Sequence, residues 1–279
     1  MAAVPERLVE ALRGRYSLEG ELGRGGMATV YLARDIPQGQ PVAVKIMHPA
    51  VATALGAERF LREIEIARSM AHPLIVPLFE SGEAGDALYY IMPYLEGESL
   101  SARLERERQL PLDDALRITR DVAEALGYAH GRGVLHRDVK PENILLSGGR
   151  ALVADFGLAR AIGAANYQKL TQTGIIVGTV YYMSPEQLSD DRDLDQRSDI
   201  YSLGCLLYEM ITGGPPFTGR SLTELVTRIL RNPVPSVRAK HPSVPQAVDQ
   251  AISRAMAKAP TARFATMEEL LAALPQPGA

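Results

Sequence analysis

One stretch decides how this chain is interpreted: His136-Arg137-Asp138-Val139-Lys140-Pro141-Glu142-Asn143. It places a carboxylate that can act as a base, two cations and a metal-binding amide within one loop-sized segment. Groups of this kind act together on phosphate, where cations and metals stabilise the charge of the transferred group. The stretch therefore predicts a site that acts on phosphate, and the rest of the chain tests that hypothesis.

The composition limits the classes of protein to consider. At 279 residues the chain exceeds what one compact core usually fills, so we expect two lobes with the site in a cleft between them. Lys and Arg number 30 against 33 Asp and Glu, without a run of like charge, which disfavours general binding of DNA or RNA. Cys205 is the single cysteine, so an intrachain disulfide framework is excluded and a reducing compartment is favoured. No apolar run approaches the ~18 residues of a membrane span, so we expect a soluble chain.

A glycine-rich hairpin is predicted between two β-type runs near the N-terminus, at Leu22-Gly23-Arg24-Gly25-Gly26-Met27-Ala28-Thr29-Val30. Glycines there let backbone amides approach phosphate oxygens. Glycine turns also join ordinary hairpins, so this motif alone does not decide between a phosphate-binding loop and a plain turn.

A lysine and a glutamate follow on the next two predicted elements. Lys45 lies between apolar neighbours on an alternating β-type run, where a buried ammonium needs a partner. Glu63 lies on the apolar face of the next predicted helix, at helical spacing with Phe60, Ile64 and Ala67. A glutamate at such a position usually lies at the solvated edge of the apolar face. The presence of Lys45 upstream favours an ion pair between Lys45 and Glu63 instead.

The remaining elements are predicted from hydrophobic spacing. An amphipathic helix is expected over residues 4–13, and strands of one small sheet over residues 74–79 and 88–92. A helix begins around Pro111. Residues 199–211 are apolar nearly all round, which predicts a helix buried on all sides, followed by two or three amphipathic helices.

A second acidic motif, Asp155-Phe156-Gly157, follows a short predicted strand beyond the opening stretch. The chain then loses periodicity up to residue 180, and this segment ends at Ser184-Pro185-Glu186.

Taken in this order, the motifs resemble those of protein kinases. The opening stretch is similar to the catalytic loop H-R-D-x-x-x-x-N, and its continuation through Asn143 resembles the serine/threonine branch. Two positions depart from the family pattern, since Ala28 replaces the third glycine and Ser184 replaces the alanine of the A-P-E end motif. The hairpin and the short loops resemble the eukaryote-like (Hanks-type) serine/threonine kinases of bacteria.

This resemblance implies transfer of the γ-phosphoryl group of ATP to Ser or Thr hydroxyls of proteins. Asp138 would then orient the acceptor hydroxyl and take its proton, with Lys140 near the transferring group. Lys45 would pair with the nucleotide phosphates and with Glu63.

The implied cofactors are ATP and Mg²⁺, with Mn²⁺ as an alternative metal. The metal ligands would be Asn143 and Asp155. Backbone groups of the predicted hinge would contact adenine, and a methionine would guard the pocket behind it. The nucleotide contacts so assigned, besides Lys45, are Leu22, Gly23, Gly25, Val30, Ala43, Met92, Pro93, Leu95 and Leu145.

The resemblance also implies regulation by autophosphorylation of Thr171 and Thr173. Arg137 and Arg160 offer guanidinium groups that could pair with a phosphothreonine and order the segment. In the alternative interpretation these threonines are ordinary polar loop residues.

Two structural supports are expected in the larger lobe. Asp199 would accept amide hydrogen bonds from the catalytic loop, or else act as a plain acid at a helix N-terminus. Arg263 resembles the arginine that pairs with the glutamate of the end motif, here Glu186, and ordinary surface charge is the alternative.

The implied fold is α+β and bilobal, with a β-rich N-lobe carrying one regulatory helix and a larger, mainly α-helical C-lobe. We assign an N-terminal extension to residues 1–15, the N-lobe to 16–92, a hinge to 93–98, the C-lobe to 99–274 and a tail to 275–279. Protein substrates are the implied partners, and a second copy could bind through the N-lobe. The expected location is the cytoplasm, either alone or as the cytoplasmic domain of a membrane-anchored parent.

Two other functions compete with this one. A nucleotide-binding pseudokinase scaffold is disfavoured because the base, the lysine, its glutamate and both metal ligands are all present. A small-molecule kinase is disfavoured by the threonine-containing segment and its Ser184-Pro185-Glu186 end.

Overall fold

A computed structural model describes residues 6–156, 177–189 and 193–278 of the chain. These residues form two compact units. The first, here called the N-terminal unit, contains residues 6–71 and 76–95. The second, the C-terminal unit, contains the remaining described residues.

The N-terminal unit is built on an antiparallel sheet of five strands in the order β1-β2-β3-β5-β4. The strands are β1 (Tyr16–Arg24), β2 (Ala28–Asp35), β3 (Pro41–Met47), β4 (Glu80–Ala84) and β5 (Ala87–Pro93). The helices are α1 (Glu6–Leu12), α2 (Pro49–Leu55) and α3 (Ala57–Arg68). β1 and β2 are joined by the glycine-rich hairpin that the sequence predicts.

The two faces of this sheet carry different helices, because successive side chains of a strand point to opposite sides. Leu8 and Leu12 of α1 are buried in one apolar cluster with Val42 and Val44 of β3. On the opposite face, the ring of Phe60 on α3 lies 6.4 Å from that of Tyr90 on β5. The predicted N-terminal helix is thus present, and it covers the face of the sheet away from α3.

The predicted strand at residues 74–79 is wrong. The first strand after α3 begins only at Glu80, and before it Ile75 forms an isolated bridge with Val153. Pro77 supplies the physical reason, since proline has no amide proton for a ladder hydrogen bond. The predicted strand at residues 88–92 is correct and forms the centre of β5.

The C-terminal unit is mainly helical. A small sheet joins β6 (Glu98–Ser99), β7 (Ile144–Ser147) and β8 (Arg150–Val153). The helices are α4 (Leu100–Glu107), α5 (Leu112–His130), α6 (Pro185–Leu188), α7 (Arg197–Thr212), α8 (Leu222–Arg231), α9 (Gln246–Ala255) and α10 (Met267–Ala273). Short 3-10 turns cover Pro141–Asn143, Val177–Tyr182, Val237–Ala239 and Pro260–Ala262.

Helix α7 is the core of this unit. It packs against α5 and α9, and nearly all of its residues from Ser198 to Ile211 are buried, as its uniform hydrophobicity predicts. It ends at Gly213, which adopts a left-handed conformation with φ of 78°. Three amphipathic helices follow it, in agreement with the sequence.

The predicted α+β class is confirmed, whereas the domain boundaries stay predictions. Among the described residues, no helix carries an apolar stretch long enough to cross a bilayer.

Candidate active site

Lys45 lies on the face of the N-terminal sheet that α3 covers, and Glu63 lies on α3 itself. Lys45 pairs in register with Tyr90, and its Nζ lies 5.9 Å from the centroid of that ring. Phe60 brings α3 to the same ring, and Glu63, one turn further along, is 9% exposed. A glutamate so deeply buried on an apolar helix face belongs to the interior and not to a solvated edge.

The glycine-rich hairpin leaves open space at two of its glycines. A Cβ added at Gly23 would meet no atom within 4 Å, and one added at Gly25 would meet only the carbonyl oxygen of Ala28, at 3.9 Å. Neither glycine has a positive φ. The fold itself therefore does not require glycine at these positions, which is the situation expected where the backbone must approach a ligand closely.

The other predicted nucleotide contacts of this unit lie along the sheet and just after it. Ala43 and Met92 are opposite one another on β3 and β5 and are both buried. Val30 pairs with Lys45, and Leu22 is exposed at the edge of the hairpin. Pro93 ends β5, and Leu95 follows it, half-buried.

In the C-terminal unit, Asp199 holds the backbone of the predicted catalytic loop, residues 136–143. Its Oδ2 accepts the amide proton of His136 at 2.9 Å, and its Oδ1 accepts that of Arg137 at 2.7 Å. Arg137 has a φ of 67°, a left-handed conformation that is uncommon for a residue with a side chain. The carboxylate therefore stabilises a strained backbone directly before the predicted base.

His130, at the end of α5, is a supporting residue that the sequence did not indicate. Its Nε2 lies 2.7 Å from Oδ2 of Asp199. Burial by itself would raise the pKa of Asp199, but the hydrogen bond and charge of His130 and the His136 amide outweigh it and lower that pKa. Asp199 is thus kept as a buried carboxylate that accepts hydrogen bonds from both α5 and the loop.

The carboxylate of Asp138 is asymmetric in its contacts. Its Oδ2 lies 2.8 Å from Nζ of Lys140 and accepts a hydrogen bond from Nδ2 of Asn143 at 3.0 Å. Its Oδ1 is buried and has no hydrogen-bond partner among the described residues. One oxygen is therefore fixed, and the other retains an unused capacity to accept a proton.

Lys140 keeps its charge in this setting. Burial would lower the pKa of Lys140, but the adjoining Asp138 carboxylate more than offsets that effect, so the pKa is raised. A buried ammonium beside the predicted base can stabilise negative charge on a transferring group.

Asn143 presents its amide oxygen. Both hydrogens of its Nδ2 are used by Asp138, one by the backbone oxygen at 2.8 Å and one by the carboxylate at 3.0 Å. These contacts do not use the side-chain oxygen, and an amide oxygen suits a hard cation such as Mg²⁺. The described residues include no cluster of three or more His, Cys, Asp or Glu side chains that could hold a metal.

The segment around Asp155 is tied to the catalytic loop by His136. The Nε2 of this fully buried histidine donates to the carbonyl oxygen of Ala154 at 2.9 Å. Its ring meets Phe156 edge-on, with centroids 4.6 Å apart. Asp155 itself has a φ of 65°, so the second predicted metal ligand also lies on strained backbone.

The predicted pairing of Arg263 with Glu186 is present. Two hydrogen bonds join them, Nη1 to Oε1 at 2.6 Å and Nη2 to Oε2 at 2.8 Å. The next residue, Gln187, reaches from α6 to the carbonyl oxygen of Arg137 at 2.9 Å. The end motif is thus anchored in the core and linked to the catalytic loop.

Leu145 lies on β7, opposite Leu152 of β8. Its role in nucleotide binding stays a prediction. The predicted regulatory residues Arg160, Thr171 and Thr173 lie outside the described residues. Their roles also stay predictions.

The comparisons with known proteins agree with these motifs. The protein kinase domain family matches residues 16–273. Serine/threonine-protein kinase PknB of Mycobacterium leprae is 40% identical over 270 residues, which is 94% of this chain and 43% of that protein. Serine/threonine-protein kinase PrkC of Bacillus subtilis is 38% identical over 261 residues, 93% of this chain and 40% of that protein. The chain thus spans less than half the length of these relatives. It belongs to the protein kinase family, among the Hanks-type kinases of bacteria that its motifs resemble.

Proposed function

We propose that this chain transfers the γ-phosphoryl group of ATP to serine or threonine hydroxyls of proteins. The observation that carries the proposal is the asymmetric carboxylate of Asp138, with one oxygen held by Lys140 and Asn143 and the other unpartnered among the described residues. The relatives support the choice of acceptor, since their names describe serine/threonine-protein kinases.

The proposed reaction forms a bond between the acceptor oxygen and the γ-phosphorus while the bond from that phosphorus to the β-γ bridging oxygen breaks. The bonding electron pair leaves with ADP, and Oδ1 of Asp138 accepts the hydroxyl proton. Lys140 stabilises the charge on the transferring group, and Lys45 pairs with the α- and β-phosphates. Most of the rate enhancement then comes from positioning and charge stabilisation.

Magnesium is the proposed metal. Asn143 and Asp155 would hold it, because an amide oxygen and a carboxylate are ligands that Mg²⁺ accepts together with phosphate oxygens and water. When bound, it would neutralise charge on the phosphates. ATP fits the N-terminal unit because the hairpin has open space at Gly23 and Gly25.

The proposal extends to regulation and assembly. Autophosphorylation of Thr171 and Thr173 would allow Arg137 and Arg160 to bind the phosphate and order the segment between the Asp155 motif and α6. Pairing of two copies through the N-terminal unit and a cytoplasmic location follow from the resemblance alone. Light scattering at several concentrations tests the pairing.

Transfer from γ-labelled ATP in the presence of Mg²⁺ tests the function. We expect label on serine or threonine of a protein acceptor such as casein, and none on sugars or aminoglycosides. A pseudokinase scaffold would bind the nucleotide without transferring label. A small-molecule kinase would label the sugars or aminoglycosides instead.

A further inference from the structure

His48 contacts the glycine-rich hairpin through its backbone amide and both of its ring nitrogens. It follows β3 directly and is the N-cap residue of α2. Its backbone amide donates to the carbonyl oxygen of Met27 at 2.9 Å. Its ring places Nδ1 3.0 Å from the carbonyl oxygen of Gly26 and Nε2 3.1 Å from Oγ1 of Thr29.

The chemistry of these partners fixes how the ring bonds. A carbonyl oxygen only accepts, so Nδ1 carries the proton that bonds Gly26. In the neutral ring Nε2 is then an acceptor, and the Thr29 hydroxyl donates to it. Thr29 is 4% exposed, so its hydroxyl is largely withdrawn from solvent and a partner within the protein is important.

The ring therefore joins both sides of the hairpin tip. The turn is closed by the backbone bond from Gly25 N–H to the Ala28 carbonyl oxygen, 2.9 Å long. Since Gly23 and Gly25 have no side chains, the tip has few side-chain contacts of its own to hold it. His48 supplies contacts from the position directly after β3, the strand that carries Lys45.

We propose that His48 is a positioning residue that holds the tip of the hairpin in the conformation that receives the nucleotide phosphates. The inference rests on the proposed ATP site. His48 acts through Gly26 and Thr29 and is not itself assigned a contact with the nucleotide. Its loss should therefore weaken the phosphate-dependent part of nucleotide affinity and leave the adenosine part unchanged.

The first test compares His48→Ala with wild type by titration calorimetry with ATP and with adenosine. Because two side-chain hydrogen bonds are lost, we expect the Kd for ATP to rise roughly five- to tenfold while that for adenosine is unchanged. Thr53→Ala is the matched control, since Thr53 lies on α2 and its hydroxyl bonds only within that helix, to the carbonyl oxygen of Pro49. Equal weakening of both ligands, or of neither, would overturn the proposal.

The second test uses the partner on the hairpin. Thr29→Val keeps the shape of the side chain and removes the donor to Nε2. The combined His48→Ala and Thr29→Val variant should weaken ATP binding less than the product of the two single effects. His48→Asn, whose amide can still reach Gly26, should recover part of the ATP affinity. Multiplicative effects would show that the two residues act separately and would contradict the proposal.

A third measurement needs no nucleotide and separates failure of this inference from failure of the proposed function. Hydrogen exchange of a peptide covering residues 23–30 should be faster in His48→Ala than in wild type. If wild type binds no ATP but this exchange accelerates, the proposed function fails and His48 still holds the hairpin. If exchange is unchanged, the positioning role is wrong whatever the nucleotide affinity.

Discussion

Replacing Arg263 with methionine should destabilise the C-terminal unit strongly, because it leaves the carboxylate of Glu186 buried without its cation. The Arg263 side chain is 0% exposed and that of Glu186 is 9% exposed. Arg263 also donates to three backbone carbonyl groups, those of Arg197, Ala257 and Lys258. Methionine fills much of the same volume, so the change removes charge and hydrogen bonds more than packing.

The size of the effect follows from this burial. Removing one partner of a buried ion pair typically costs about 3–5 kcal/mol. Ser198 still donates to Oε1 of Glu186 at 2.7 Å, and the glutamate can take up a proton, so the lower end of that range applies. At roughly 2–4 °C per kcal/mol for a domain of this size, Tm should fall by about 6–12 °C.

Thermal and urea unfolding followed by circular dichroism measure this loss, with Arg228→Met as the matched control. Arg228 pairs with Glu224 at 2.6 Å on α8, but the two side chains are 43% and 36% exposed. An exposed pair contributes at most about 1 kcal/mol. If both variants lost the same stability, burial would not be what gives the Arg263 pair its strength.

The same pair predicts a pH dependence. Burial would raise the pKa of Glu186, but Arg263 and Ser198 outweigh it and hold that pKa below its ordinary value. A carboxyl whose pKa in the folded state lies below the unfolded value of about 4.3 stabilises the protein above that value. This stabilisation is lost as the pH falls through the lowered pKa. In Arg263→Met burial raises the pKa of Glu186 instead, so the stability gap between the two proteins should grow as the pH rises and shrink in acid, where Glu186 is protonated in both. A gap that widened on acidification would contradict this assignment.

Three further predictions concern activity. Lys45→Ala should raise the KM for ATP at least tenfold, because the phosphates lose a cation; unchanged turnover at limiting ATP would count against its role. Asp199→Asn should lower kcat roughly tenfold or more with a smaller effect on the KM for ATP, because the loop amides that it holds lie beside the base; steady-state kinetics measure both, and an unchanged kcat would refute the positioning argument. Preincubation with ATP should add phosphate and raise activity in wild type but not in the Thr171→Ala and Thr173→Ala double variant, as followed by intact mass and rate. Equal activation of both proteins would exclude these threonines as the switch.

Local patterns in the sequence were enough to predict much of the fold. Glu63 could be placed on the buried face of α3, and α7 could be recognised as a core helix, because helical periodicity is a property of neighbouring residues. Asp138 and Asn143 also lie within one loop, so their spacing alone indicated that both belong to one site, although their hydrogen bond was not predicted.

Contacts between distant segments could not be predicted in the same way. His130 and Asp199 are 69 positions apart, and Gln187 reaches Arg137 across 50 positions, so no local pattern indicates either contact. The left-handed backbone at Asp155 was also missed, because tertiary contacts impose it on a residue type that does not require it.

The strand predicted at residues 74–79 failed for a different reason. Hydrophobicity favoured it, but Pro77 lacks the amide proton that a ladder needs. The apolar residues before the proline are buried all the same, which shows that the hydrophobic signal was correct and the choice of element was not.

Asp138→Asn tests the central claim most directly, with phosphoryl transfer and ATP affinity measured on the same preparation. The substitution keeps the shape of the side chain and removes the proton acceptor. We predict that transfer to a protein acceptor falls by roughly 10²–10⁴-fold while the Kd for ATP is essentially unchanged. Transfer at the wild-type rate by the purified variant would show that Asp138 is not the base.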